Sequence, residues 1–296
     1  MKNYRIRWMV AVIPSAVVCA AVRIWQLATS FEGHFCLPIP FASASVILLA
    51  LLVIAASVMV LLLQRQPVDR KVRENPHLAL YAPGDTPFMF AMVCSAFLTL
   101  LAAPFFFLDG WLHWVEYQAI KQAAFVGGSV PGGNNGVLML VAGVMSFLAF
   151  VGIIIAARAA VRGTEKGRMG TLAAVVNGCL WLMELYRGHA AEPVRWSYAP
   201  MLVAAVFGIL LYLNYAGLFT KTAAPRKTLW LAGMTVVTSA VGLAGKWDIS
   251  SALLLAAQIL LAFAVLWRVP DNLAYPPEFS VEENRVEEKL EEDTHE

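Results

Sequence analysis

The sequence predicts an all-α fold, a polytopic bundle of eight transmembrane helices with both termini in the cytoplasm. Three observations predict it. The first is composition: 59% of the 296 residues are apolar and 14% are charged, against about 45–50% and 25% in a soluble domain. Too little polar surface remains to cover a water-soluble core, so the bilayer is the solvent that fits. The second is the length of the apolar runs. The third is the placement of Lys and Arg.

A helix rises about 1.5 Å per residue, so crossing roughly 30 Å of hydrocarbon takes about 20 apolar residues. Runs of that kind occupy residues 8–28, 41–64, 87–108, 137–158, 170–187, 197–218, 228–245 and 250–268. The fifth and seventh are the weakest, being short and interrupted by Asn177 and Gly178 in one and Gly233 in the other. A β-barrel is excluded, because its strands need short alternating segments rather than continuous apolar runs. With the N-terminus inside, the cytoplasmic segments carry Lys2, Arg5 and Arg7, then Arg65, Arg70, Lys71 and Arg73, then Arg158, Arg162, Lys166 and Arg168, then Lys221, Arg226 and Lys227, then Arg268, Arg285 and Lys289. Only Arg23, Lys121, Arg187, Arg195 and Lys246 are left outside. Every inner segment is more basic than its outer neighbours, as the positive-inside rule requires.

The first run has a basic start and an apolar core, like a signal peptide, but Arg23-Ile24-Trp25-Gln26 replaces the small residues of a cleavage site, so it reads as a span. The inner loop 65–86, with Pro67, Pro76 and Pro83, reads as a solvated topogenic loop. In the outer loop 109–136, Trp111-Leu112-His113-Trp114-Val115-Glu116-Tyr117 is amphipathic and reads as a short helix lying in the interface; the Gly-rich stretch 127–136 reads as a flexible spacer. Residues 1–268 thus form the bundle. Residues 269–296, with ten acids against Arg285 and Lys289, form an acidic, disordered cytoplasmic tail suited to binding a protein partner. The tryptophans other than Trp181 fall near span ends, as an aromatic belt would place them.

The chemistry is less legible. Cys19, Cys36, Cys94 and Cys179 form no CxxC pair, so neither a disulfide framework nor a zinc ribbon is expected. The phosphate, dinucleotide, metalloprotease and serine-hydrolase motifs are missing, and nothing specifies a cofactor. A basic body in a membrane protein reflects topology rather than nucleic acid. What remains is polar groups inside the hydrocarbon, which are costly and usually face the bundle interior. Arg23 and Glu184 both fall in the outer third of their spans and are expected to pair, with Trp181 over the guanidinium as a cation–π partner. Gln26, Asn177, Asn214 and Gln258 add uncharged donors and acceptors; Arg23, Gln26, Asn177, Trp181 and Glu184 make up the candidate ligand site. His34, His113, Glu116 and His189, from three outer loops, are candidate metal ligands by donor chemistry. Similar Trp-bearing polar clusters ending spans one and five suggest a four-plus-four internal repeat.

The stretch Val22-Arg23-Ile24-Trp25-Gln26-Leu27-Ala28-Thr29-Ser30-Phe31-Glu32 resembles the end of the first span in a group of uncharacterised bacterial multi-pass membrane proteins. The resemblance implies a bacterial plasma membrane and no particular activity. Three functional classes follow from the residues: a small-solute or ion transporter or its membrane subunit, a sensor or scaffold acting through the acidic tail, and an intramembrane enzyme on a lipid-linked substrate. The first leads.

Overall fold

Apolar runs long enough to cross a bilayer satisfy their backbone hydrogen bonds internally, and they do so here as helices. The computed structural model describes residues 4–32, 37–39, 42–124, 135–164, 167–190, 196–220, 222, 224–245 and 248–276. Its long helices are α1 (Tyr4–Thr29), α2 (Ser43–Gln64), α4 (Thr86–Ala124), α5 (Asn135–Arg162), α6 (Gly167–Ala190), α7 (Ala199–Phe219), α8 (Pro225–Leu243) and α9 (Ile249–Ala274). A short helix α3 (Arg70–Glu74) and a 3-10 turn Pro76–Ala79 lie between α2 and α4, and a two-residue antiparallel pair, β1 (Phe31–Glu32) and β2 (Leu37–Pro38), follows α1. Every expected span coincides with one of the eight long helices.

Among the described residues, seven of these helices are long and apolar enough to cross a membrane; α8 falls short. The reason is physical. Most of α8 is buried against other helices, so its seam uses Thr228, Gly233, Thr235, Thr238, Ser239 and Gly242 in place of large aliphatics. Small and hydroxylated residues let helices approach closely, and that lowers mean hydropathy. A side chain at Gly233 would press on the Met59 sulfur of α2, 2.7 Å from the Cβ position. The hydroxyls of Thr235 and Thr238 donate to the carbonyls of Leu231 and Met234, 2.8 Å each, so they carry no unmet polarity.

Helices α4 to α9 pack in chain order, and α9 returns to α4, closing a six-helix ring. The α1–α2 hairpin sits outside it, against α8 and α9. An internal repeat would make α2 and α4 pack as α7 and α8 do. Among the described residues α2 instead packs on α1 and α8, so the two halves are not built alike. At the α5–α6 crossing, Gly152 and Gly170 meet backbone to backbone, and a methyl on either would overlap the carbonyl of the other. Gly163, in the left-handed region at φ 67°, ends α5.

The loop 65–86 is not a solvated connection. It folds into the basic end of the bundle, with Val72, Ala79, Leu80 and Ala82 fully buried. Asp69 caps α3 through the Lys71 amide at 2.8 Å, and its own amide donates to Leu273 of α9. Gln66 accepts from the Trp8 indole and donates to the Pro270 carbonyl. Arg226 donates to the Gln66 carbonyl at 2.7 Å. The Asn272 amide reaches the carbonyls of Leu78, Ala79 and Tyr81, and Arg268 holds Tyr81 and Asp85. Trp8 is therefore a core residue, 1% exposed, rather than a membrane anchor. These contacts also carry α9 on to Ala274, past the expected end at 268, with Asn272 and Leu273 buried. Residues 277–296 of the acidic tail lie outside the described residues, as do 127–134 of the Gly-rich stretch.

The expected interfacial helix is likewise corrected. Residues 111–117 continue α4, a single helix of 39 residues. At about 1.5 Å per residue it is roughly 58 Å long, nearly twice the hydrocarbon thickness. Gly110 does not break it, being packed closely against the start of α5, where a Cβ would stand 3.0 Å from that of Met139, and Pro104 is accommodated within the helix.

Candidate functional site

One face of α6 points into the ring. Ala174, Asn177, Trp181 and Glu184 recur at helical spacing and are all buried. Opposite them α4 contributes Ser95, Thr99, Ala102 and Phe106, again at alternating three- and four-residue steps. The Ser146 hydroxyl of α5 donates to Asn177 at 3.1 Å, and the Trp181 indole donates to Ser251 of α9 at 3.1 Å. Ser95 donates to the Ala257 carbonyl of α9 at 2.7 Å, and Thr99 to the Ser95 carbonyl. Gln258 lies against the bare Cα of Gly208, where any side chain would collide with it, and accepts from Ser239 at 3.4 Å. These bonds tie α4, α5, α6, α8 and α9 together by their side chains.

Between them lies a cavity lined by Thr99, Asn177, Trp181, Tyr212 and Gln258 among others. The volume open to the centre of a water-sized sphere is about 10 Å³. That is room for about one water, which such polar walls would hold. Of the four uncharged polar residues singled out in the sequence, Asn177 and Gln258 share this cavity. Gln26 does not, and Asn214 belongs to a separate groove at the basic end, with its amide on the Leu210 carbonyl.

Glu184 stands one turn beyond Trp181, at the end of the ring away from the basic face, and is 7% exposed. Among the described residues no hydrogen bond or cation reaches its carboxylate, while Asp109 of α4 and Asp248 before α9 lie within electrostatic range of it and of each other. His113 and the exposed Glu116, 3.7 Å apart, follow along α4, with His113 within range of Asp109. The acidic mouth so formed was not foreseen. Asp109 and Asp248 fall at span ends, where a lone sequence gives no reason to join them.

Arg23 does not pair with Glu184. It is 1% exposed, outside the ring, where its guanidinium donates to Gln26 at 2.6 Å and to the Ser197 carbonyl before α7. Gln26 in turn donates to Ser45 of α2. The aromatic ring facing Arg23 is Phe31, 6.0 Å away, rather than Trp181. The cluster staples the α1–α2 hairpin to the connection between α6 and α7. Arg23→Gln should cost about 2–3 kcal/mol of stability, because hydrogen bonds to a charged group are lost in a buried place. The melting temperature in detergent measures it.

Of the expected metal ligands His113 and Glu116 adjoin, and among the described residues no three of His, Cys, Asp and Glu gather to hold an ion. His34 lies outside the described residues, as does the side chain of His189, whose backbone ends α6. No family model, characterised protein or solved structure matches the chain.

Proposed function

We propose that the chain is a plasma-membrane protein of eight spans, α8 included, with both termini in the cytoplasm, and that it moves a small cation through the six-helix ring, the proton being the best fit. One observation carries the reading: a buried carboxylate with no cation beside it among the described residues, Glu184, heads a polar stripe that runs down α6 to a water-sized cavity. An ionisable group inside a bundle is costly to keep and marks ion or proton pathways. Size favours the proton. Sites for small organic molecules need about 300–1,000 Å³, whereas this cavity holds about one water. Water held by Asn177, Thr99 and Gln258 can relay a proton without carrying a solute. Asp109 and Asp248 concentrate cations at the mouth, and Trp181 narrows the passage below it. The alternation of basic segments supports the orientation, and the resemblance of residues 22–32 supports a bacterial membrane.

The test is flux. Reconstituted into liposomes holding a pH-sensitive dye, with a potassium diffusion potential imposed by valinomycin, the wild type should acidify the lumen faster than protein-free liposomes do. Glu184→Gln should fall to the protein-free rate and yet melt no lower than the wild type, since an unpaired buried charge has been neutralised. Arg23→Gln, outside the ring, should keep the wild-type flux per folded molecule. Equal flux in the wild type and Glu184→Gln would refute the pathway.

A further inference from the structure

A groove of about 300 Å³ opens at the basic end, between the start of α6 and the end of α7, beneath the linker to α8. Its walls change character along their length. Arg168, Lys227, Thr220 and Thr222 line one part, Leu172 and Leu213 another, and no acid lines it among the described residues. Neither Arg168 nor Lys227 forms an ion pair among the described residues. Two long helices, α6 and α8, begin here, and helix N-termini carry partial positive charge. The opposing negative end of α7 is covered: the hydroxyls of Thr220 and Thr222 donate to the Gly217 carbonyl and lie 2.8 Å from each other. Leu213 is 47% exposed on the surface that would face lipid.

We propose that this groove binds an anionic phospholipid, its phosphate between Arg168 and Lys227 and an acyl chain along Leu172 and Leu213. Unpaired cations alone would suit any phosphate. The run from cationic to aliphatic wall selects an amphipathic one, and basic pockets between helices on the cytoplasmic side are where anionic headgroups lodge. The site needs only the membrane embedding and is independent of the pathway through the ring.

Native mass spectrometry of the full chain, offered equal phosphatidylglycerol and phosphatidylcholine, tests it. The wild type should retain phosphatidylglycerol preferentially. Arg168→Gln with Lys227→Gln should weaken that preference by about fivefold per cation removed. Both side chains are exposed, so the fold should survive, as an unchanged melting temperature in neutral lipid would verify. Arg70→Gln with Arg73→Gln, on the same face but away from the groove, should keep the preference, and so should Glu184→Gln. Equal retention of the two lipids by the wild type, or the same loss in the Arg70 and Arg73 variant, would overturn the site. Thermal stabilisation by inorganic phosphate as large as that by the lipid would overturn the lipid as its occupant and leave a free-phosphate site.

Discussion

Gly170→Ala should cost about 3 kcal/mol or more of stability and lower the yield of folded protein, although it adds one methyl group. The added carbon would stand on the carbonyl of Gly152. Because it is a Cβ fixed to the backbone, no change of rotamer relieves the overlap, and α5 and α6 must separate. That would pull Ser146 from Asn177, two turns away toward the acidic mouth, so any variant protein that folds should also lose flux. Gly84→Ala provides the contrast. Gly84 has φ 65° and open space around its Cβ position, so the cost there should be only the left-handed backbone, about 1 kcal/mol. Melting temperatures of both variants in one detergent decide it, and equal losses would disprove the crossing.

The second large effect should come from Asn272→Leu, which keeps volume and removes the amide. Three carbonyls lose a donor, those of Leu78, Ala79 and Tyr81. Tyr81 retains Arg268 and Leu78 retains the Tyr81 amide, so the Ala79 carbonyl is the one left unmet. For one buried unsatisfied group, the loss should be about 1–3 kcal/mol. It should be local, because Asn272 holds the loop 65–86 in place. Limited proteolysis should then cut within 65–86, with the ring still intact. A variant cut no faster than the wild type would show that the loop is held by its apolar residues alone.

The helices were legible in the sequence because a bilayer demands long apolar runs, and the basic segments marked which ends share a face. The closed ring was not, since which helix touches which depends on small residues such as Gly152, Gly170, Gly208 and Gly233, whose partners lie far away in the chain. The same blindness explains α8, whose threonines read as weakness and are the seam of a buried helix. In the candidate site, the burial of Arg23 and Glu184 could be expected from the cost of charge in lipid, but not their separation. Depth in a span fixes height along the membrane and leaves open which way a side chain faces. Asn177 and Trp181 shared the Glu184 face by spacing alone. The loop 65–86 misled because its polar composition resembles solvated connections, while its few apolar residues, Val72 and Leu80 among them, were the ones that decided its place.

The outlying position of the α1–α2 hairpin sets a timetable for biogenesis. The hairpin leaves the ribosome before the ring does, yet its docking surface on α8 and α9 is made only after α4 to α7. Roughly 160 residues separate the end of α2 from the start of α8. At about 5–20 residues per second, the hairpin must wait on the order of 8–30 s in the membrane before its partner exists. Through much of that interval Arg23 has no Ser197 carbonyl to meet and must reach for the headgroups. Docking of the hairpin thus cannot precede translation of α8, and slowing the ribosome after α2 should lengthen the time during which an insertion chaperone can hold the hairpin.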